Sequence, residues 1–374
     1  MRIEKIELNH IAIPLAEPYR LSKRYGTITH AHAVIVRLSS DDGLIGLGEA
    51  DPLPPFTAET PATVLAVVRD QLADLLIGKD PRQVAGLNLE IDQRVSGNTM
   101  ARGAIDMALM DLAGKSHGLP AHVLLGGRLH NQLPLLAAIG GESPEADARA
   151  IETWLDRDIR NIMIKMGAAA IEDDIVRMRQ AKQTFAGRAR LIVDANQGWT
   201  PSEALTFVQE TADHPPELIE QPVDAGSIEE LARIRRQSCK PVSADESLVD
   251  RNDARQLIRS RAVDVFSLKV SKNGGLNRTR QIAHLAEIFG IDCLMNSMLE
   301  FGITQAASLQ VGCTLPNLFD FGHAYGSVLR MSDDITDYDR LLDGGCVNVP
   351  DTPGLGIALD TSKLDHYTKN HICL

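Results

Sequence analysis

From about residue 133 the chain repeats a short apolar run, a polar loop and an amphipathic stretch. The runs after the first end at residues 165, 194, 220, 245, 269, 297 and 320. The intervals of 29, 26, 25, 24, 28 and 23 residues have the length of a strand-plus-helix unit. With Leu133 to Ile139 as the first, the eight expected strands continue through Asn161 to Lys165, Leu191 to Asp194, Leu218 to Glu220 and Pro241 to Asp245. Val263 to Lys269, Cys293 to Ser297 and Asn317 to Asp320 complete the set. Alternating strands and helices imply a parallel sheet, since parallel neighbours need a long crossover. Eight such units close into a (β/α)8-type barrel more naturally than they stay open. A doubly wound sheet is the alternative.

The first 60 residues read differently. Apolar runs at Ile3 to Leu8 and Ala33 to Leu38, a turn at Asp41-Asp42-Gly43 and a run from Leu44 to Gly48 predict a β-meander. Thr63 to Leu76 and Ala101 to Leu112 then show apolar residues at helical spacing with charges on the other face. The expected organisation of this α/β protein is an α+β capping domain over 1–125, the barrel over 126–325, and a C-terminal segment over 326–374 that packs back on the cap.

Charge narrows the partners. A net charge of −12 disfavours nucleic acid and anionic membrane, both of which bind through a basic face. The start lacks an apolar signal-type region, and no stretch reaches the roughly 18 apolar residues of a membrane span, so a cytoplasmic location is expected. Five scattered cysteines without C-x-x-C spacing indicate neither a disulfide framework nor a zinc site.

Several expected strands end in a chargeable residue, and catalytic groups of barrel enzymes sit at C-terminal strand ends. Asp194, Glu220 and Asp245 fall on neighbouring strands three, four and five, while Lys165 and Lys269 fall on strands two and six, opposite one another. Three clustered acids repel unless a cation lies between them. A hard divalent ion, magnesium, suits an all-oxygen set, whereas zinc recruits His or Cys. Such an ion stabilises the enediolate formed when a substrate carboxylate loses its α-proton, and a lysine can serve as base. The bland alternatives are isolated helix caps for the acids and mere charge neutralisation for Lys165. A metal-binding barrel without turnover is a further alternative.

The segments VDANQGW (193–199), IEQP (219–222), ADES (244–247) and LKVSKNGG (268–275) resemble strand-end motifs of the enolase superfamily, muconate lactonizing enzyme subgroup. ARGAIDMALMDLAGKSHGLPAHVLLGG (101–127) resembles the helix by which that family enters its barrel, so the likeness spans nearly the whole chain. The resemblance implies a modified (β/α)7β barrel, Asp194, Glu220 and Asp245 as Mg2+ ligands, and Lys165 and Lys269 as the acid/base pair. It also implies a homo-oligomer and supporting roles for Asn196 and Glu246 beside the ligands. Cap loops around Ser22 to Thr29 and Pro52 to Thr57 would close over a small-molecule carboxylate, which brings Tyr25 and Phe56 toward it. One departure stands out: the family's Lys-x-Lys reads Met163-Ile164-Lys165, which removes a cation from the face of Lys165.

Near strand eight the sequence reads Asp320-Phe321-Gly322-His323, where similar dipeptide epimerases carry Asp-x-Asp. A retained Asp320 favours an amine-bearing substrate, and the missing second acid favours a small, proline-like amino acid over a dipeptide. Asp320 as a structural cap is the alternative. His323 is a candidate acid for dehydration or else an exposed loop residue, and Ser297 and Glu300 offer hydrogen bonds near strand seven or else structural support. Epimerisation or racemisation, dehydration and muconate-type cycloisomerisation all remain open.

Overall fold

The computed structural model describes residues 1–140 and 143–374. Strands Ile3–Arg20, Thr27–Ser40 and Ile45–Ala50 form the expected meander, and Thr368–Cys373 adds to its outer edge against Ile3–Arg20. The tail therefore does return to the cap. The first two strands are far longer than their apolar cores, because pairing between them runs on through the polar stretch Thr27–His32.

Helix Thr99–His117 departs from the amphipathic expectation, since residues 103 to 114 are all buried. It packs on the strand Ile45–Ala50, and a Cβ at Gly46 or Gly48 would run into the carbonyls of Ala108 and Ala104, so only glycine permits this approach. Its two central acids do not face water. Asp106 accepts from Asn88 Nδ2 at 2.6 Å and Asn277 Nδ2 at 2.8 Å; Asp111 accepts from the Leu47 and Leu355 amides, each at 2.8 Å. Residues far apart in sequence are thereby tied to one helix.

Among the described residues a parallel sheet of seven strands runs in sequence order: Leu136–Ile139, Asn161–Lys165, Arg190–Asp194, Ile219–Glu220, Val242–Ala244, Val265–Leu268 and Asp292–Met295. The eighth segment closes the ring through bridges Cys293 to Leu318 on one edge and Leu135 to His323 on the other. Leu136, Met163, Ile192, Leu218, Val265, Leu294 and Phe321 form one buried cluster inside it, as barrel interiors are filled.

The end of strand eight needs correction. Leu318 lies level with the start of strand seven, and the segment continues through Ala324, whose amide donates to the Met295 carbonyl at 2.9 Å. Asp320 is therefore near the beginning of the segment. A chargeable residue in mid-run imitated the pattern of the other strand ends.

Candidate active site

Backbone register builds the site. Lys165 pairs with Asp194, and Asp194 with Glu220, so three side chains stand in one row across adjacent strand ends. Glu220 pairs with Ser243, and Asp245 lies two residues beyond it on the same face. One oxygen from each of Asp194, Glu220 and Asp245 falls within 4.8 Å of the others, and all three residues are buried.

Lys165 forms an ion pair with Asp194; Lys269 Nζ lies 2.6 Å from Asp245 Oδ2. With strands two and six four apart in the ring, the two ammonium groups approach the acids from opposite sides, and both line the same pocket. Burial, the largest single influence, lowers each lysine, but Asp194, Tyr19 and Glu220 together outweigh it at Lys165, and Asp245, Glu220 and Glu246 together outweigh it at Lys269, so both stand above the usual value. Burial and its neighbours Asp194 and Asp245 push Glu220 well above the ordinary carboxylate range. Asp245 is held at about 2 despite burial, because Lys269 and Lys272 both face it.

Lys272 was not singled out in the sequence, although it sits within LKVSKNGG. It is buried, and its Nζ donates to Asp245 Oδ1 at 2.7 Å and to the Asp245 carbonyl at 2.5 Å. Two further residues are new. Asn296 Nδ2 donates to Glu220 Oε1 at 2.7 Å, and Ser267 Oγ donates to the same oxygen at 3.0 Å. The other Glu220 oxygen, Oε2, is buried without a hydrogen-bond partner among the described residues. An orphaned buried carboxylate oxygen facing two other acids is what a cation ligand presents before it is bound. The donor set is all oxygen, so a hard divalent ion fits it.

The loops after Asp194 and Glu220 are strained. Asn196, Gln197 and Gln221 have φ of 43°, 63° and 33°, in the left-handed region disfavoured for residues with a Cβ. Each costs about 1–3 kcal/mol, which the surrounding contacts must offset. Gln221 Oε1 accepts from the Asp245 and Ser247 amides at 2.9 and 3.1 Å, and Ser22 Oγ donates to the Asn196 carbonyl at 3.0 Å. The cap loop is thus latched to the loop that carries Asp194.

Phe56 lies on the pocket wall with its ring centroid 4.4 Å from Lys269 Nζ. Tyr25 stands behind it, 5.4 Å between ring centroids, and takes a hydrogen bond from Gln197 rather than lining the pocket. Asn196 lines the pocket and donates to Glu246 Oε1 at 3.3 Å; burial, Asp245 and Asp194 raise Glu246 to about 8.

Ser297 lines the pocket, but Glu300 is fully buried behind it, where it accepts from Gln305 Nε2 at 2.6 Å and the Met298 amide at 3.2 Å. Burial raises Glu300 to about 7. Glu300 is thus a support rather than a pocket group.

Two expectations fail. The Asp320 side chain is fully exposed and faces Arg190, 3.6 Å away at the start of strand three, on the barrel end remote from the acidic cluster. A Cβ at position 322 would run into the Leu135 carbonyl and, at 2.7 Å, the Asn161 side chain, so the position has no room for a second acid. His323 is neither exposed nor in the pocket: it is buried, its Nδ1 accepts from the Met295 amide at 3.2 Å, and burial drives it down to about 3. Asp320→Asn is accordingly expected to leave the Michaelis constant within about twofold of the parent, as for other exposed sites. Steady-state kinetics checks it, and a large rise would return Asp320 to the site.

Two family models match the chain: "Mandelate racemase / muconate lactonizing enzyme, N-terminal domain" over residues 5–126, and "Enolase C-terminal domain-like" over residues 146–363. The chain belongs to the enolase superfamily, in its muconate lactonizing enzyme-like subgroup. Among the relatives of this enolase-superfamily chain, L-Ala-D/L-Glu epimerase of Bacillus subtilis is 32% identical over 361 residues, covering 96% of this chain and 97% of that one. Chloromuconate cycloisomerase of Cupriavidus necator is 33% identical over 373 residues, covering 99% and 100%. The N-succinyl Arg/Lys racemase structure from Bacillus cereus superposes with a TM-score of 0.95 at 28% identity, covering all of both chains. These relatives are racemases, epimerases and cycloisomerases, and the chain is an enolase-superfamily isomerase. No helix among the described residues is long and apolar enough to cross a membrane.

Proposed function

We propose that this enolase-superfamily chain epimerises or racemises the carbon next to a substrate carboxylate. Lys165 and Lys269 remove and return the α-proton on opposite faces. The observation that carries this reading is the placement of two lysines on opposite sides of one acidic cluster and on the wall of one pocket. Asp194, Glu220 and Asp245 would hold magnesium, which when bound supplies Lewis-acid stabilisation of charge developing on the substrate carboxylate.

The chain's own residues do the rest. Asn296 and Ser267 fix one oxygen of Glu220, so its other oxygen stays directed at the cluster. Lys272 holds Asp245 from the side away from Lys269 oxygen contact, using Oδ1 while Lys269 takes Oδ2. Phe56 covers the Lys269 ammonium and excludes water from it. The substrate amine expected from Asp320 loses its partner, because that carboxylate lies outside the site. Dehydration loses its candidate acid in the same way, since His323 is buried away from the pocket.

The test is incubation with a library of chiral and of unsaturated carboxylic acids in deuterated buffer. Magnesium-dependent gain of one mass unit with appearance of the opposite configuration is expected. A ring-closed product, itself carrying one deuterium because the enediolate left by ring closure is protonated from the solvent, would favour cycloisomerisation, the activity of several relatives. No exchange and no product from any acid would retire both readings. Magnesium at about 100 times its dissociation constant is expected to stabilise the fold by about 2.7 kcal/mol, read as a rise in thermal midpoint that a chelator reverses. An unmoved midpoint would separate the acidic cluster from metal binding.

A further inference from the structure

Arg330 is a cation of the pocket that none of the chemistry above uses. It ends the short turn Ser327–Arg330 that follows strand eight, and the next residue, Met331, bridges to Leu15 of the first cap strand. That bridge, with the Ser332 amide donating to the Pro14 carbonyl at 3.0 Å, fixes the turn against the cap. The guanidinium lies over the Tyr19 ring, 4.2 Å from its centroid, and both residues line the pocket that holds Lys165 and Lys269. Its Nη2 is shut off from solvent and, among the described residues, has no hydrogen-bond partner.

A buried guanidinium donor without an acceptor is costly, and native structures seldom keep one unless a ligand completes it. The ring beneath fixes the plane of the guanidinium and leaves its edge to face a partner. Among the described residues no Asp or Glu lines this pocket, so the pocket itself supplies Arg330 with no counter-charge. Leu21, Ile28, Leu53, Leu135 and Leu299 make the rest of the wall largely apolar.

We infer that Arg330 binds a second carboxylate of the substrate, so that the site takes diacids whose two acid groups are joined by a neutral spacer. The inference rests on the proposed function for the position of the first carboxylate. A planar fork of N–H donors matches the two oxygens of a carboxylate, and Tyr19 holds that fork in one orientation. A substrate ammonium, by contrast, would meet three cations and no pocket acid.

The experiment is calorimetric titration of the full-length, magnesium-loaded chain. The probes are α-substituted diacids of increasing spacer length, each paired with the amide of its far carboxyl. For the best-fitting spacer the diacid is expected to bind roughly ten- to a hundredfold tighter than its amide, the range for a charge-assisted hydrogen bond. Arg330→Gln should erase that difference and Arg330→Lys should keep part of it. Equal affinity of diacid and amide throughout, persistence of the preference in Arg330→Gln, or no diacid binding at all would overturn the inference. Deuterium exchange on the same diacids reads the chemistry separately. Preferential binding without exchange or product retires the proposed reaction on these acids and leaves the Arg330 site standing, whereas exchange from amides and diacids alike does the reverse.

Discussion

Lys269→Ala is expected to lower turnover by roughly 10²–10⁴-fold, the usual contribution of a positioned acid/base group, while leaving the fold and metal affinity close to the parent. The second half of that expectation comes from Lys272. Truncating Lys269 frees Asp245 Oδ2, but Oδ1 keeps its 2.7 Å contact with Lys272. Asp245 therefore remains paired, and the buried carboxylate is not left without a cation. The same substitution at Lys165 removes the partner of Asp194, whose Oδ1 still accepts from the Asn196 amide at 2.8 Å.

The two variants should differ in stereochemistry. With lysines on opposite faces, each single variant is expected to retain exchange of the α-proton for one configuration and lose it for the other. Deuterium incorporation into each enantiomer, followed by mass spectrometry, reads this directly. Equal loss for both configurations in each variant would place both lysines in one step. Unchanged turnover in Lys269→Ala would remove it from the mechanism.

How far such a site is legible in sequence depends on where its partners lie. Asp194 and Glu220 close short apolar runs, and the run length fixes the strand end, so register brings them together without further information. Lys269 is found in the same way, one residue beyond Leu268. Asn296 is harder: it follows a strand with no charge at its C-terminal end, and only the folded ring brings it to Glu220, 76 residues earlier. Arg330 gives no periodic signal at all, since it sits in a turn after the last strand. Its meaning depends on Tyr19 from the opposite end of the chain. Strand eight runs past its expected end at Asp320; its pairing consists of isolated bridges rather than a continuous ladder, so the apolar run carries little strand character and Asp320 imitates a strand end. Glu49 is a similar case. It caps helix Gly302–Gly312 by accepting from the Phe301 and Thr304 amides at 2.7 and 2.9 Å, a link invisible to any local pattern.

Arg177 supplies the largest expected effect on stability. In sequence it forms an ordinary i, i+3 pair with Asp174 on a polar helix, the kind found on solvated faces. In the fold it is buried. Its Nε donates to Asp147 Oδ2 at 2.8 Å, its Nη1 to Asp174 Oδ1 at 3.0 Å, and its Nη2 to the Lys165 carbonyl at 3.0 Å. Replacing it with methionine keeps most of the apolar stem but leaves two buried carboxylates without their cation, so a loss of about 3–5 kcal/mol is expected. Burial already outweighs Arg177 and holds Asp147 and Asp174 above the ordinary carboxylate range, and removing the cation raises them further. A carboxyl whose pKa is higher folded than unfolded favours the folded state when protonated, so its stabilising contribution falls as pH rises from the unfolded value through the folded one. Arg177→Met should therefore lose most relative to the parent near neutral pH and recover part of the deficit toward pH values near the unfolded carboxylate pKa of about 4. Denaturant midpoints across that range measure it. Asp147→Asn in the same background should recover stability at neutral pH and flatten the dependence, because one of the two buried charges is then gone. An Arg177→Met chain as stable as the parent at neutral pH would mean that the buried network contributes nothing. A deficit that grew on acidification would mean that the two carboxylates are not its cause.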